Sequence, residues 1–96
     1  MKFEWNDAKS KANVKKHGVT FDEAKSVFFE DTALLFDDPD HSDDEDRFLL
    51  LGPSGERRIL VVVHCYRDRD EVIRIISARP ATNRESQTYM SQRSSP

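Results

Sequence analysis

The side chains best suited to moving protons or holding phosphate sit in the second half of the chain, where His64, Tyr66, Arg74 and Arg79 interrupt apolar runs. Ile59 to Val63 is an unbroken aliphatic run, and Val72 to Ile76 is nearly another. A charge inside an apolar strand has to face solvent, a partner or a ligand, because burying it unpaired costs several kcal/mol, roughly. An imidazole takes or gives a proton near neutrality, and a guanidinium offers a planar fork of donors that fits phosphate. His64 therefore reads as a satisfied structural residue or as a general acid or base. Arg74 and Arg79 read as ion-pair partners of the acidic loop described below or as phosphate-binding groups. Arg47, Lys16 and His17 are secondary candidates for substrate contact. Arg47 equally neighbours the acids just before it, and His17 equally suits a cation at a helix end. Tyr66 is a half-buried aromatic or a surface on which a base could stack.

The elements that position these groups can be read locally. The runs at Ile59 to Val63 and Val72 to Ile76 are rich in branched side chains, and Arg67-Asp68-Arg69-Asp70 between them is too polar to bury. They are expected to form an antiparallel hairpin. Alternation then sends Leu60, Val62, His64 and Tyr66 to one face and Val61, Val63 and Cys65 to the other. Arg74 and Arg79 are an odd number of positions apart, so they share a face only if a bulge intervenes or if Arg79 lies past the strand end beside Pro80.

Earlier in the chain, Lys2 to Trp5 reads as a short edge strand. Asn6 is placed to cap a helix over Asp7 to His17, and Gly18 to end it. Ala8 and Ala12 give that helix a weak core stripe, leaving Phe3, Trp5 and Val14 to anchor it. Thr20-Phe21-Asp22-Glu23 has the spacing of a capping box, and Phe21, Ala24, Val27 and Phe28 continue an amphipathic helix to about Phe29. Ala33 to Phe36 and Arg47 to Leu51 are expected strands, and Gly52-Pro53-Ser54-Gly55 a turn. Pro80 ends the last strand. Thr82 to Glu85 repeats the capping box and opens a short helix with Tyr89 and Met90 to bury. The expected architecture is α+β: a small antiparallel sheet of four strands, two N-terminal helices packed on it and a short C-terminal helix.

With 96 residues and 36% hydrophobic content, the chain suits one compact domain over residues 1–90, with residues 91–96 as a frayed tail. No run approaches the roughly 20 apolar residues of a membrane span, and the N-terminus lacks an apolar signal core, so a cytoplasmic location is expected. The single cysteine, Cys65, provides neither a disulfide framework nor a thiolate zinc site. The net charge of −3 hides a segregation: Asp37 to Asp46, DDPDHSDDED, holds seven of the 18 acidic residues and no Lys or Arg. The remainder carries 15 basic against 11 acidic side chains, a balance that suits a polyanion. The acidic run lacks the glycine and closing glutamate of a calcium loop. A glycine-rich phosphate loop, G-x-S-x-G and H-E-x-x-H are all missing, and no metal or cofactor is implied.

Three segments in order, Lys16-His17-Gly18-Val19, Glu45-Asp46-Arg47-Phe48 and Arg74-Ile75-Ile76-Ser77-Ala78-Arg79, together with ILVVVHCY, give a chain that resembles the BrnT toxins of bacterial type II toxin–antitoxin systems. The resemblance runs from Phe3 to about Tyr89. It implies a RelE-like fold, a ribonuclease activity that arrests growth, and neutralisation by a BrnA-like antitoxin that contacts DNA. It also admits a dimer within the toxin–antitoxin complex. One departure is the last helix, strongly basic in the family, which here holds two arginines and one glutamate. The expected reaction is metal-independent attack of an RNA 2′-hydroxyl on its neighbouring phosphate. His64 would transfer the proton, Arg74 and Arg79 would grip phosphate, and all three would converge on one open pocket. The alternative is a binding module without catalysis, whose basic face holds an acidic partner or works with a DNA-binding subunit.

Overall fold

The computed structural model describes residues 1–40 and 46–93. Within them the chain runs β1 (Lys2–Glu4), α1 (Asp7–His17), α2 (Phe21–Val27), β2 (Leu34–Asp37), β3 (Phe48–Pro53), β4 (Ile59–Arg67), β5 (Val72–Pro80) and α3 (Asn83–Arg93). The fold is α+β, as expected, but the sheet has five strands in the order β1-β5-β4-β3-β2. The fifth is the N-terminal edge strand read at Lys2 to Trp5, which pairs parallel with β5 and makes the sheet mixed rather than antiparallel. Of the acidic run, residues 41–45 lie outside the described residues.

One face of the sheet carries the main core. Phe21, Ala24 and Val27 of α2 pack with Val19 on Leu60, Val62, Ile73, Ile75 and Ala78, all almost fully buried. Each large apolar side chain enclosed there contributes about 1.5–3 kcal/mol. The other face holds a smaller cluster, in which Tyr89 of α3 lies over Leu51 and Val61. The Tyr89 hydroxyl is 2.5 Å from Thr32 Oγ1, while Met90, expected to be buried, is exposed. The helix continues through Arg93 with Ser91 inside it, and residues 94–96 lie outside the described residues. Among the described residues no helix is long and apolar enough to cross a membrane.

The caps follow the sequence closely. Asn6 Oδ1 accepts from Lys9 N, and Gly18 leaves α1 at φ 70. Thr20 Oγ1 accepts from Glu23 N, but the second half of that box does not close. The Glu23 carboxylate turns instead to Arg58 Nε and Nη2, at 2.8 and 2.7 Å, and to Ser54 Oγ. The pair with Arg58 holds the Glu23 carboxyl below its ordinary range, since its hydrogen bonds outweigh the penalty of burial.

Helix α1 departs from its expected packing. Ala8, Ala12 and Val14 are exposed, and the buried residue of the helix is Asn13. Its Nδ2 donates to Val19 O and Ala78 O, and its Oδ1 accepts from Ala78 N. Strand β1 covers β5 only from Val72 to Arg74, so at Ala78 the edge of β5 would otherwise be bare. The asparagine amide takes the place of the missing strand. The expected turn at Gly52 to Gly55 also shifts: Gly52 and Pro53 are the end of β3, and the reversal is made over Ser54 to Arg58. Gly52 serves close approach, since a Cβ there would lie 2.9 Å from Ala33 Cβ.

Candidate functional site

The placement of the arginines turns on one irregularity in the β4–β5 ladder. Val63 pairs with Ser77 but His64 pairs with Ile75, so Ile76 is passed over in the register. That bulge reverses the alternation of β5. Arg74 then lies opposite Cys65 and Arg79 opposite Val61, which places both arginines on the face that carries α3. In a regular strand they would point to opposite sides. Cys65 itself is a buried free cysteine.

Each arginine meets a carboxylate. Arg74 Nη1 is 2.5 Å from Glu4 Oε2, a contact made because β1 sets Glu4 beside Arg74. Arg67 Nε stands 3.8 Å from the same oxygen, so Glu4 lies between two guanidiniums. Arg79 makes a two-pronged pair with Glu85 at 2.7 and 2.8 Å. These bonds raise the Arg79 pKa and hold the Glu85 carboxyl down at about 2, helped by the amide of Thr82. Among the described residues, then, the partners of Arg74 and Arg79 are Glu4 and Glu85 rather than the acidic loop. The Arg74 and Arg79 side chains remain 31% and 38% exposed, enough for a ligand to reach them.

His64 is on the other face. It is fully buried, edge-on to Phe28 at 4.8 Å and Tyr66 at 5.3 Å, with Phe48 at 6.1 Å. Burial pushes its pKa below the ordinary value, which favours the neutral ring. Nδ1 is 3.2 Å from the Val62 carbonyl, which can only accept, so Nδ1 carries the proton. Nε2 then accepts from the Tyr66 hydroxyl at 3.3 Å. The expected convergence of His64 with Arg74 and Arg79 on one pocket is not found: the sheet separates them.

The remaining candidates are dispersed. Lys16 is exposed and His17 half-buried in the last turn of α1. Arg47 precedes β3, and its carbonyl accepts from Asp38 N. Tyr66 is half-buried and lines a cleft of about 710 Å³ with Met1, Leu35, Phe48, Asp46 and Asp70. Burial and the Asp70 charge raise its pKa. Among the described residues no group of three or more His, Cys, Asp or Glu side chains is placed to hold a metal ion.

Sequence reasoning missed Glu4, which stands 70 positions from Arg74 and meets it only through strand pairing. Glu85 left a usable signal, because a glutamate three residues after Thr82 and six after Arg79 is within reach of both.

Residues 5–85 match the family described as the ribonuclease toxin BrnT of type II toxin–antitoxin systems. Among solved structures, the crystal structure of the Brucella abortus ribonuclease toxin BrnT is similar at 26% identity and a TM-score of 0.66. The likeness covers 86% of this chain and 99% of that one. No curated protein matches.

Proposed function

Because the chain belongs to the BrnT family of ribonuclease toxins of type II toxin–antitoxin systems, we propose that it cleaves RNA without a metal ion, on the sheet face that carries Arg74 and Arg79. The observation that supports this most is the bulge at Ile76, which brings both arginines to one side. Their cross-strand partners, Cys65 and Val61, are four positions apart, so the two backbones are separated by about 13 Å along the strand. That spacing suits two phosphates of one RNA strand. Exposed ion pairs are worth only about 0–1 kcal/mol, so a phosphate can displace Glu85 from Arg79 and share Arg74 with Glu4.

In the proposed reaction the 2′-oxygen attacks the adjacent phosphorus, the bond from phosphorus to the 5′-oxygen breaks and the leaving oxygen takes a proton from water, leaving a cyclic phosphate and a free 5′-hydroxyl. Proton transfer by His64 on this face is blocked by its burial on the opposite side, and Glu4 takes that role. The Glu4 carboxylate lies between Arg67 and Arg74, where it can accept the 2′-hydroxyl proton while the guanidiniums offset charge gathering on phosphate. DNA lacks the attacking hydroxyl and is left uncut. On the same reading the toxin acts in the cytoplasm and is held inactive by a BrnA-like antitoxin that contacts DNA.

The test is purified protein with RNA in excess EDTA, followed by analysis of the cut ends. Glu4→Gln and Arg74→Ala are each expected to slow cleavage by about 10²-fold or more, with the fold intact. Loss of cleavage on chelation rejects the metal-free scheme, and RNA left whole in every buffer favours the non-catalytic binding module. If Glu4→Gln cuts normally while Tyr66→Phe does not, proton transfer belongs to the His64–Tyr66 pair instead.

A further inference from the structure

The end of the molecule around Tyr66 is unlike the arginine face in both shape and charge. The 710 Å³ cleft has an apolar side lined by Leu35, Phe48 and Tyr66, of which Phe48 and Tyr66 pack edge-on at 5.3 Å. A second cleft of about 370 Å³ shares Met1 and Tyr66 with it and extends the apolar surface to Phe28 and Phe29. Phe29 is 70% exposed and Leu35 53%, so two large apolar side chains stand in water at the margin. A third cleft, of about 440 Å³, shares Met1 and Asp70 with the first and adds Asp68 and Glu71. The residues lining these two clefts are acidic on balance: Asp46, Asp68, Asp70 and Glu71 are all exposed there, against Lys2 and the N-terminal amine, with Lys25 over Phe3 beside the smaller apolar cleft and Arg69 exposed between the hairpin aspartates.

An apolar floor with a carboxylate rim repels a phosphodiester and attracts an amphipathic segment bearing cations. We propose that this end is the docking surface for a basic amphipathic helix of the protein that neutralises the toxin, with apolar anchors seated on Leu35, Phe48 and Tyr66 and Lys or Arg side chains against Asp46 and Asp70. The inference rests on the toxin–antitoxin reading, which supplies the protein partner. It adds where that partner sits and what chemistry it must present. The hairpin tip beside the rim turns through three left-handed residues, Asp68, Arg69 and Asp70, at φ 52, 56 and 68. RNA on the arginine face and the partner helix here would use opposite faces of the sheet, so this helix anchors the neutralising protein and does not itself cover Arg74 and Arg79.

The test uses the full chain, its Leu35→Asp variant and an Asp46→Lys/Asp70→Lys double variant, with folding confirmed by circular dichroism and melting temperature. The probes are two synthetic amphipathic helical peptides of equal length and apolar content, one with lysine and one with glutamate on the polar face. The lysine peptide is expected to protect the Phe48 and Tyr66 amides from hydrogen exchange and to bind at least tenfold more tightly than the glutamate peptide. Binding should fall at least tenfold in each variant. Equal binding of the two peptides, unchanged binding by the variants, or protection at other elements overturns the proposal. So does a single-stranded RNA oligonucleotide that protects the same amides, because the surface then belongs to RNA. Cleavage of RNA by the same preparations reports on the ribonuclease reading alone. Protein that cuts RNA but ignores the lysine peptide refutes the surface and leaves that reading standing. Protein that binds the peptide but never cuts does the reverse.

Discussion

Replacing Asn13 by alanine should cost this small domain a large part of its stability, although the helix that carries it is otherwise polar and its alanines are exposed. The substitution removes three hydrogen bonds, at 2.9 Å to Val19 O, 2.8 Å to Ala78 O and 3.0 Å from Ala78 N. Val19 and Ala78 are both fully buried, so water cannot simply take over. The orphaned amide of Ala78 costs about 1–3 kcal/mol, and the two carbonyls, each with a second lone pair, cost less. A total of about 3 kcal/mol follows, which for a domain of this size lowers the melting temperature by about 12–24 °C. Chemical denaturation of wild type and Asn13→Ala, fitted with a common slope, measures it. Asn13→Asp separates the two halves of the contact. It keeps the acceptor for Ala78 N but turns a charged oxygen toward two carbonyls, so its deficit should be large at neutral pH and should shrink as acid protonates the new carboxyl. A loss below about 0.5 kcal/mol in Asn13→Ala would show that the edge of β5 does not depend on this amide, and the account of how α1 is anchored would be wrong.

Three further outcomes follow from the same geometry. Glu85 has a folded pKa of about 2, below its ordinary value, so its pair with Arg79 stabilises fully above the ordinary carboxylate range and is lost as pH falls through about 2. With both side chains about a third exposed, the contribution is about 1 kcal/mol. The stability gap between wild type and Arg79→Ala should therefore close between pH 7 and pH 2, and a gap constant with pH would refute the pairing. Arg57 and Arg69 stand at φ 66 and 56 without being glycine, so Arg57→Gly and Arg69→Gly should each leave stability unchanged or raise it by up to about 1 kcal/mol, as read by urea unfolding; a loss above that would mean their side chains matter more than their strain. Gly52→Ala should destabilise by about 1–3 kcal/mol, because the new methyl meets Ala33 Cβ at 2.9 Å and Val27 Cγ1 at 3.2 Å; a melting temperature equal to wild type would show that β3 shifts to make room.

Much of the fold can be read along the chain because the signals act within one turn or one strand. Asn6, Thr20 and Thr82 each bond an amide three positions on, and Gly18 ends its helix through a left-handed backbone, all within reach of their own neighbours. The aliphatic runs of β4 and β5 follow from side-chain shape alone. The family resemblance rests on such local segments, and the match over residues 5–85 agrees with it.

The site is different, because every feature that decides it depends on distant residues. Amino-acid order by itself fixed which side chains are available: the arginines, the lone imidazole of β4, and the caps that start and stop the helices. The tertiary structure decided where they act. It passed over Ile76 in the ladder and so turned Arg79 to the side of Arg74, brought Glu4 across 70 positions, and closed three aromatic rings around His64. A cap is settled by the few residues it touches. Register and burial are settled by the packing of the whole chain at once, where the best fit of a buried face outweighs what any one strand would do alone.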